Sequence, residues 1–317
     1  MKVALQEVEQ IEITTLVDNY VDMLAADSGQ VVHRATALTG LKTSDSILAE
    51  HGFSALVTVS RAGRRRSILM DFGYSALAAA ENARTLGLDL SQVEALVLSH
   101  GHPDHIGALE RITALVGQSG IELLVHPAAF KAARHLKSPQ GAKVFFDPFT
   151  RERVEAAGVK IVEAAQPRPL LDGGLVFLGQ IPKKTDFEQA VPFFKYEDGG
   201  EEKTDLIEDD TAIVAQVRGK GLVVLSGCAH SGIINTLKWA EEVTGQDQIL
   251  AVMGGFHLTG PLFENRIQPT IEALKALNPR YVLPTHCTGR KAIMAIEKAM
   301  PEQFILNMAG TRLTFAA

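Results

Sequence analysis

Residues 99–107 read SHGHPDHIG, and within them His100, His102, Asp104 and His105 form the pattern His-x-His-x-Asp-His. The stretch follows VEALVLS, a short apolar run that suits a buried strand, and leads into IGALERITALVG, which reads as a helix. Neutral imidazole and carboxylate are ligands that zinc, iron and manganese accept. Four such groups in so short a segment, on a loop leaving a strand, can face one pocket but would crowd a single ion. Two ions side by side relieve this: His100 and His102 serve one, Asp104 and His105 the other. Such a pair holds a bridging water as hydroxide near neutral pH and stabilises charge at the attacked centre. A run of surface histidines is the weaker reading.

Working outward, three further histidines follow short apolar strands. His230 stands in GCAHSG after LVVLSG, His257 in GGFHLTG after ILAVMGG, and His286 in THCTG after YVLP. Sites in such sheets gather at strand ends, so these loops are expected to converge with the first cluster. Cys228 sits two residues before His230; it is either a thiolate ligand or a small buried apolar residue. Cys287, next to His286, reads as structural. Asp71, after SILM and before Gly73, is placed to hold a ligand histidine by its free N–H. His126 also ends a strand and stays a candidate, His51 is open, and His33 and His135 read as structural or surface residues.

The strand and helix signals alternate along the chain. FSALVTVS (53–60) and RRSILMDFG (65–73) flank the turn RAGR, and SALAAAENARTLG is a helix with Ser at its start and Gly at its end. IELLVHP is a strand, and 128–152 is read as helix followed by irregular chain. TAIVAQV and LVVLSG form a hairpin across RGKG. SGIINTLKWAEEVTG, RIQPTIEALKALN and GRKAIMAIEKAM are helices between the later strands, and TRLTFA is a last strand. Such a rhythm suits a layered α/β sandwich over the whole of 1–317. The section 139–210 breaks it with Pro139, Pro148, Pro167, Pro169, Pro182 and Pro192 and an acidic run, and is read as an insertion covering the site, a lid or substrate loop, or else as a solvated excursion.

The chain has 317 residues, 46% of them hydrophobic, enough for a large core. Its net charge is −6, and residues 197–210 alone hold eight acids and one lysine, a net of −7, leaving about +1 for the rest. This distribution is compatible with an anionic small substrate and gives no support for a nucleic-acid partner. Arg61, Arg64, Arg65 and Arg66 cluster at a hairpin and read as a solvated turn. Two cysteines are too few for a disulfide scaffold. With no apolar leader and no run long enough for a membrane span, a reduced, cytoplasmic protein is expected.

At these residues the chain resembles the metallo-β-lactamase superfamily. Asp71-Phe72-Gly73 matches the family's Asp-x-Gly after a strand, residues 100–105 match its His-x-His-x-Asp-His, and His286 matches its last ligand. EHGFSAL, SHGHPDHIGAL, GCAHSGIINT, GGFHL and PTHCTG together resemble a narrower subfamily. It is named for the synthase of 7,8-dihydropterin-6-methyl-4-(ribofuranosyl)aminobenzene phosphate, and many of its bacterial relatives are called metal-dependent hydrolases. The resemblance implies a four-layer αββα sandwich and two divalent transition metals, zinc first, with iron or manganese as alternatives. It implies His100, His102 and His230 on one metal and Asp104, His105 and His286 on the other. One departure stands out: where the family usually has Gly-Asp with a bridging Asp, this chain has Gly227-Cys228, and His230 takes the place of a histidine missing upstream. The activity implied is hydrolysis of an ester or phosphoester in a small molecule by a metal-held hydroxide, with Asp104 orienting the water and His257 contacting substrate or acting as general acid. The rivals are a transferase acting on a dihydropterin pyrophosphate, an iron-dependent redox enzyme and a metal-binding protein without turnover. The redox reading is lowered by His102, where flavodiiron relatives carry Glu, and by the lack of a flavin domain.

Overall fold

In the computed structural model, which describes residues 2–39 and 42–317, two mixed sheets lie face to face with helices on their outer surfaces. The eight-stranded sheet runs, in spatial order, Lys160–Glu163, Glu122–Val125, Val93–Val97, Arg64–Met70, Ser54–Arg61, Gln10–Val17, Arg312–Ala316 and Val32–His33. The seven-stranded sheet runs Arg168–Leu170, Leu175–Phe177, Ala212–Val217, Gly221–Ser226, Ile249–Gly255 and Tyr281–Thr285, with Glu7–Val8 paired to Ala212–Val217. Strand alternation sends one set of side chains from each sheet inward. Ile11, Ile13, Val57, Ile68 and Val97 from the first meet Phe177, Ile213, Val223, Leu225 and Met253 from the second in one apolar layer.

The opposite faces are also apolar and are covered by helices. Ala78–Thr85, Leu109–Val116 and Arg151–Ala156 bury Ala79, Ile112 and Val154 against Leu69, Leu96 and Leu123. Ile233–Thr244, Ile267–Leu277 and Arg290–Ala299 bury Leu237, Leu274 and Ile296 against Val214, Val224 and Val252. This is the αββα order expected from the sequence. The hairpin at RAGR closes with Arg61 opposite Arg64, and Ala62 and Gly63 both have positive φ (50° and 74°), the backbone that matches strand twist in a two-residue turn. Among the described residues no helix is long and apolar enough to cross a membrane.

The section 139–210 is not one excursion, which corrects the sequence reading. Lys160–Glu163 pairs in parallel with Glu122–Val125, and Leu175–Phe177 pairs with Ala212–Val217, so the middle of the section belongs to both main sheets. What departs is a separate four-stranded antiparallel sheet, in the order Lys143–Phe145, His135–Lys137, Phe194–Asp198 and Glu201–Thr204. The helix expected within 128–152 is a short 3-10 turn, Pro127–Phe130, followed by strand; the only full α-helical turn near it starts at Arg151. Local propensity for helix is overridden there by distant partners. His135 and Leu136 pair with Lys195 and Phe194.

Arg134 explains why that detour is held. Its Nε donates to Asp205 (2.6 Å), and its two terminal nitrogens donate to both oxygens of Asp209 (2.8 and 2.7 Å). All three side chains are buried. Burial alone would raise the Asp209 carboxyl, yet Arg134 and the Gly101 N–H hold it well below the usual carboxylate range. Part of the acidic run at 197–210 is therefore internal and neutralised. Removing one partner of such a pair leaves unpaired buried charge, so Arg134→Ala is expected to lower the unfolding free energy by about 3–5 kcal/mol. Urea unfolding of the two proteins measures this, and coincident curves would rule out the role given to Arg134.

Candidate metal centre and cleft

The loops that carry Asp71, residues 99–107, His126, Cys228 with His230, His257 and His286 each leave the carboxyl end of a strand in one of two parallel stretches. Arg64–Met70, Val93–Val97 and Glu122–Val125 run parallel in one sheet, and Gly221–Ser226, Ile249–Gly255 and Tyr281–Thr285 in the other. Their loops meet where the two sheet edges adjoin. Four of the residues concerned hold left-handed backbone without being glycine: Asp71 (φ 60°), Ala229 (46°), His257 (46°) and His286 (42°). Such conformations persist only where surrounding contacts over-determine them.

Two donor sets result. The rings of His100, His102 and His230 lie in mutual contact, with centroids 4.5 Å (100–102), 4.8 Å (100–230) and 4.7 Å (102–230) apart. The Nε2 of each is buried and bonded to nothing in the protein. Burial first, then neighbouring cationic groups, push His100 and His230 well below the ordinary imidazole range and His102 down to about 3, so these rings are neutral, the form that binds metal. In the second set Asp104, His105, Cys228 and His286 bring one donor atom each to within 4.8 Å of one another. His286 Nε2 is 2.9 Å from Asp104 Oδ2, and His105 Nε2 is 3.1 Å from Cys228 Sγ. Cys228 also forms a group with His100 and His230, so its sulfur is common to both sets. Burial pushes the Cys228 thiol up. Burial would likewise lower His105, but Asp104 and Asp71 outweigh it and lift the ring to about 9. Carboxylates so placed give the centre a negative field that a cation would satisfy, and the orphaned Nε2 atoms fit the same occupant.

The other ring nitrogens are anchored. Asp71 Oδ2 lies 2.6 Å from His105 Nδ1 and accepts the Ser99 hydroxyl at 2.7 Å, while Asp71 Oδ1 accepts the Ser99 N–H at 2.7 Å. A carboxylate only accepts, so His105 carries a proton on Nδ1, and its Nε2 faces the centre, where a cation would displace any second proton. Asp71 thus has the place read for it in the sequence. A Cβ on Gly227 would overlap Ser99 Oγ and lie 2.9 Å from Asp71 Oδ2, so only glycine lets the two sheets close over this carboxylate.

Several anchors had no sequence signal. Asn19 Oδ1 faces His286 Nδ1 at 3.0 Å, and Asp18 accepts the His286 N–H at 2.9 Å, across a separation of 267 and 268 residues. Asp209 accepts the Gly101 N–H (2.8 Å) and Asp210 the Ser231 N–H (2.8 Å), fixing the loops that carry His102 and His230. His51, left open by the sequence, lies on the rim with its ring 4.7 Å from His286. His126 accepts from the Ala128 N–H, and His33 and His135 lie in strands; none of the three joins a donor group. His257 packs 4.0 Å from the His230 ring, and Cys287, expected to be structural, lines the same cleft.

That cleft has a volume of about 530 Å³ and opens over both donor sets. Tyr74, Phe145, Phe146, Phe193, Phe194 and Phe263 wall it. Phe194 stacks on His102, with centroids 5.5 Å apart and planes at 21°.

The sequence profile of the metallo-beta-lactamase superfamily matches residues 50–233. The chain belongs to the metallo-beta-lactamase superfamily. It is 31% identical over 271 residues to the 7,8-dihydropterin-6-methyl-4-(beta-D-ribofuranosyl)-aminobenzene-5'-phosphate synthase of Methanocaldococcus jannaschii, covering 84% of this chain and 90% of that protein. Among solved structures it is similar to a metal-dependent hydrolase of the beta-lactamase superfamily, with a TM-score of 0.73 and 25% identity over 97% of this chain and 100% of the other. A diphosphatase from the PhnP family shares the fold, with a TM-score of 0.50 and 14% identity over 96% and 97% of the two chains. Superfamily members typically bind divalent metals, and the donor groups described above suit that property.

If Asp71 orients His105 as its bonds indicate, Asp71→Asn should weaken metal binding by about 10–100-fold. Competition with a chromophoric chelator reads this directly. Equal affinity in the two proteins would mean that Asp71 only supports the fold.

Proposed function

We propose that the chain is a metal-dependent hydrolase acting on an ester or phosphoester-type bond in a small molecule. The observation that carries this reading is the meeting of two donor sets, with unpaired Nε2 atoms, on the floor of an aromatic cleft. His100, His102 and His230 would hold one divalent ion and Asp104, His105 and His286 the other, with Cys228 in the bridging place. Bound ions of this kind lower the pKa of water and draw charge from the attacked centre. Asp104 orients the attacking water. His257, on the cleft wall, gives a proton to the leaving oxygen as the new bond to water forms. The four-stranded sheet contributes Phe145 and Phe194 to the pocket and in this reading shapes it around the substrate.

A second reading is favoured by the aromatic walls and by the named synthase relative. In it the substrate is a dihydropterin pyrophosphate whose flat ring lies among the phenylalanines. Its carbon–oxygen bond breaks, an acceptor takes the carbon, and pyrophosphate departs.

Elemental analysis of protein purified without added metal should find about two transition-metal ions per chain, fewer in His230→Ala. Chelation should abolish turnover of aryl phosphoesters, and His257→Ala should lower kcat by about 10²–10⁴-fold. Coupled product from dihydropterin-methyl pyrophosphate and an aromatic amine, with no phosphoester turnover, would favour the second reading. No bound transition metal even after reconstitution would overturn both.

A further inference from the structure

Two cleft residues remain outside both donor sets: His257 as a ligand, and Cys287. One donor atom of each, with Cys228 Sγ, forms a third group whose atoms all lie within 4.8 Å of one another. His257 Nδ1 is buried and has no hydrogen-bond partner among the described residues. The two thiols are free, and Cys287 Sγ points to the Cys228 carbonyl at 3.5 Å. A Cβ on Gly255 would overlap Cys287 Sγ and lie 2.7 Å from the Gly227 carbonyl oxygen. Glycine at that position is what allows the Cys287 sulfur to reach the Cys228 loop. His257 and His286 keep left-handed backbone, at φ 46° and 42°, which turns the ring of the first and the residue after the second toward the same point. All three side chains line the cleft, so an ion can arrive from solvent.

We propose that Cys228, His257 and Cys287 form a further metal site, distinct from the two donor sets and sharing only the Cys228 sulfur with them. Two thiols and an imidazole select a thiophilic ion, such as Zn²⁺ or Cd²⁺, over a hard one such as Mg²⁺. Three protein ligands leave a fourth position open to the cleft. On binding, each coordinating thiol releases its proton to solvent and keeps its electron pair as the ligand. An ion there engages the imidazole assigned above as proton donor, so zinc beyond the first two equivalents is expected to depress turnover.

The test uses the full chain, made metal-free and kept reduced, then dialysed against Zn²⁺ for elemental analysis and titrated with Co²⁺ for thiolate-to-metal absorption. Wild type should retain about three zinc ions per chain. Cys287→Ser and His257→Gln should each retain about two, and Cys287→Ser should lose part of the thiolate-to-cobalt absorption. His230→Ala should lose a different ion and keep the Cys287-dependent part of that absorption. Equal zinc content and equal absorption in wild type, Cys287→Ser and His257→Gln would overturn the proposal. About two ions in all three would do so while leaving the dinuclear centre intact, whereas no ion in any of them would overturn the dinuclear reading as well. Two variants in loops after different strands keep the test decisive if one of them does not fold.

Discussion

The structure turns on one carboxylate, Asp71, which has no solvent exposure and lies at the seam between the two sheets. A buried carboxylate is tolerated only when its oxygens are occupied. Here the Ser99 N–H, the Ser99 hydroxyl and His105 Nδ1 occupy them, and Gly227 of the opposite sheet closes over them because it has no side chain. Ser99 and His105 bracket the His-x-His-x-Asp-His stretch, so the same bonds that settle a buried charge fix both ends of the loop that carries the donors. Fold stability and site geometry are thereby the same set of contacts.

A second charge network ties the cleft wall to that loop. Arg134 enters from the four-stranded sheet and grips Asp205 and Asp209, and Asp209 in turn holds the Gly101 N–H between His100 and His102. Phe194, from the same sheet, lies flat on the His102 ring. Any displacement of the detour is therefore felt at the donors. The acidic run that dominates the chain's net charge is in part this internal clamp, with Asp205, Asp209 and Asp210 buried and Glu197 and Glu202 paired with Lys143 and Lys137.

The left-handed residues at 71, 229, 257 and 286 show where the fold stores strain. Each lies just beyond the end of a strand, where the chain turns into the loop that lines the centre. In ordinary turns glycine or asparagine takes this backbone. Histidine and aspartate take it here because their side chains are held, Asp71 by Ser99 and His105, His286 by Asn19 and Asp18.

By itself the sequence determined the strands that lead to Asp71, Ser99, Cys228, His257 and His286, the helices between them and hence the αββα order. Those signals are local: apolar runs of strand length, helical spacing and turn residues carry them. The same local signals marked His100, His102, Asp104 and His105 as one cluster. Only the tertiary structure decided that His135–Lys137 and Lys143–Phe145 form strands rather than helix, that the middle of 139–210 belongs to the main sheets, that Asp18 and Asn19 anchor His286, and that Cys287 faces the cleft. Each depends on partners far apart in the chain, such as Arg134 with Asp205 and Asp209, or Cys287 with Gly255 and Cys228. Propensity and spacing report what a segment does next to its neighbours. They do not report which distant backbone group or buried charge it must satisfy once the chain has closed.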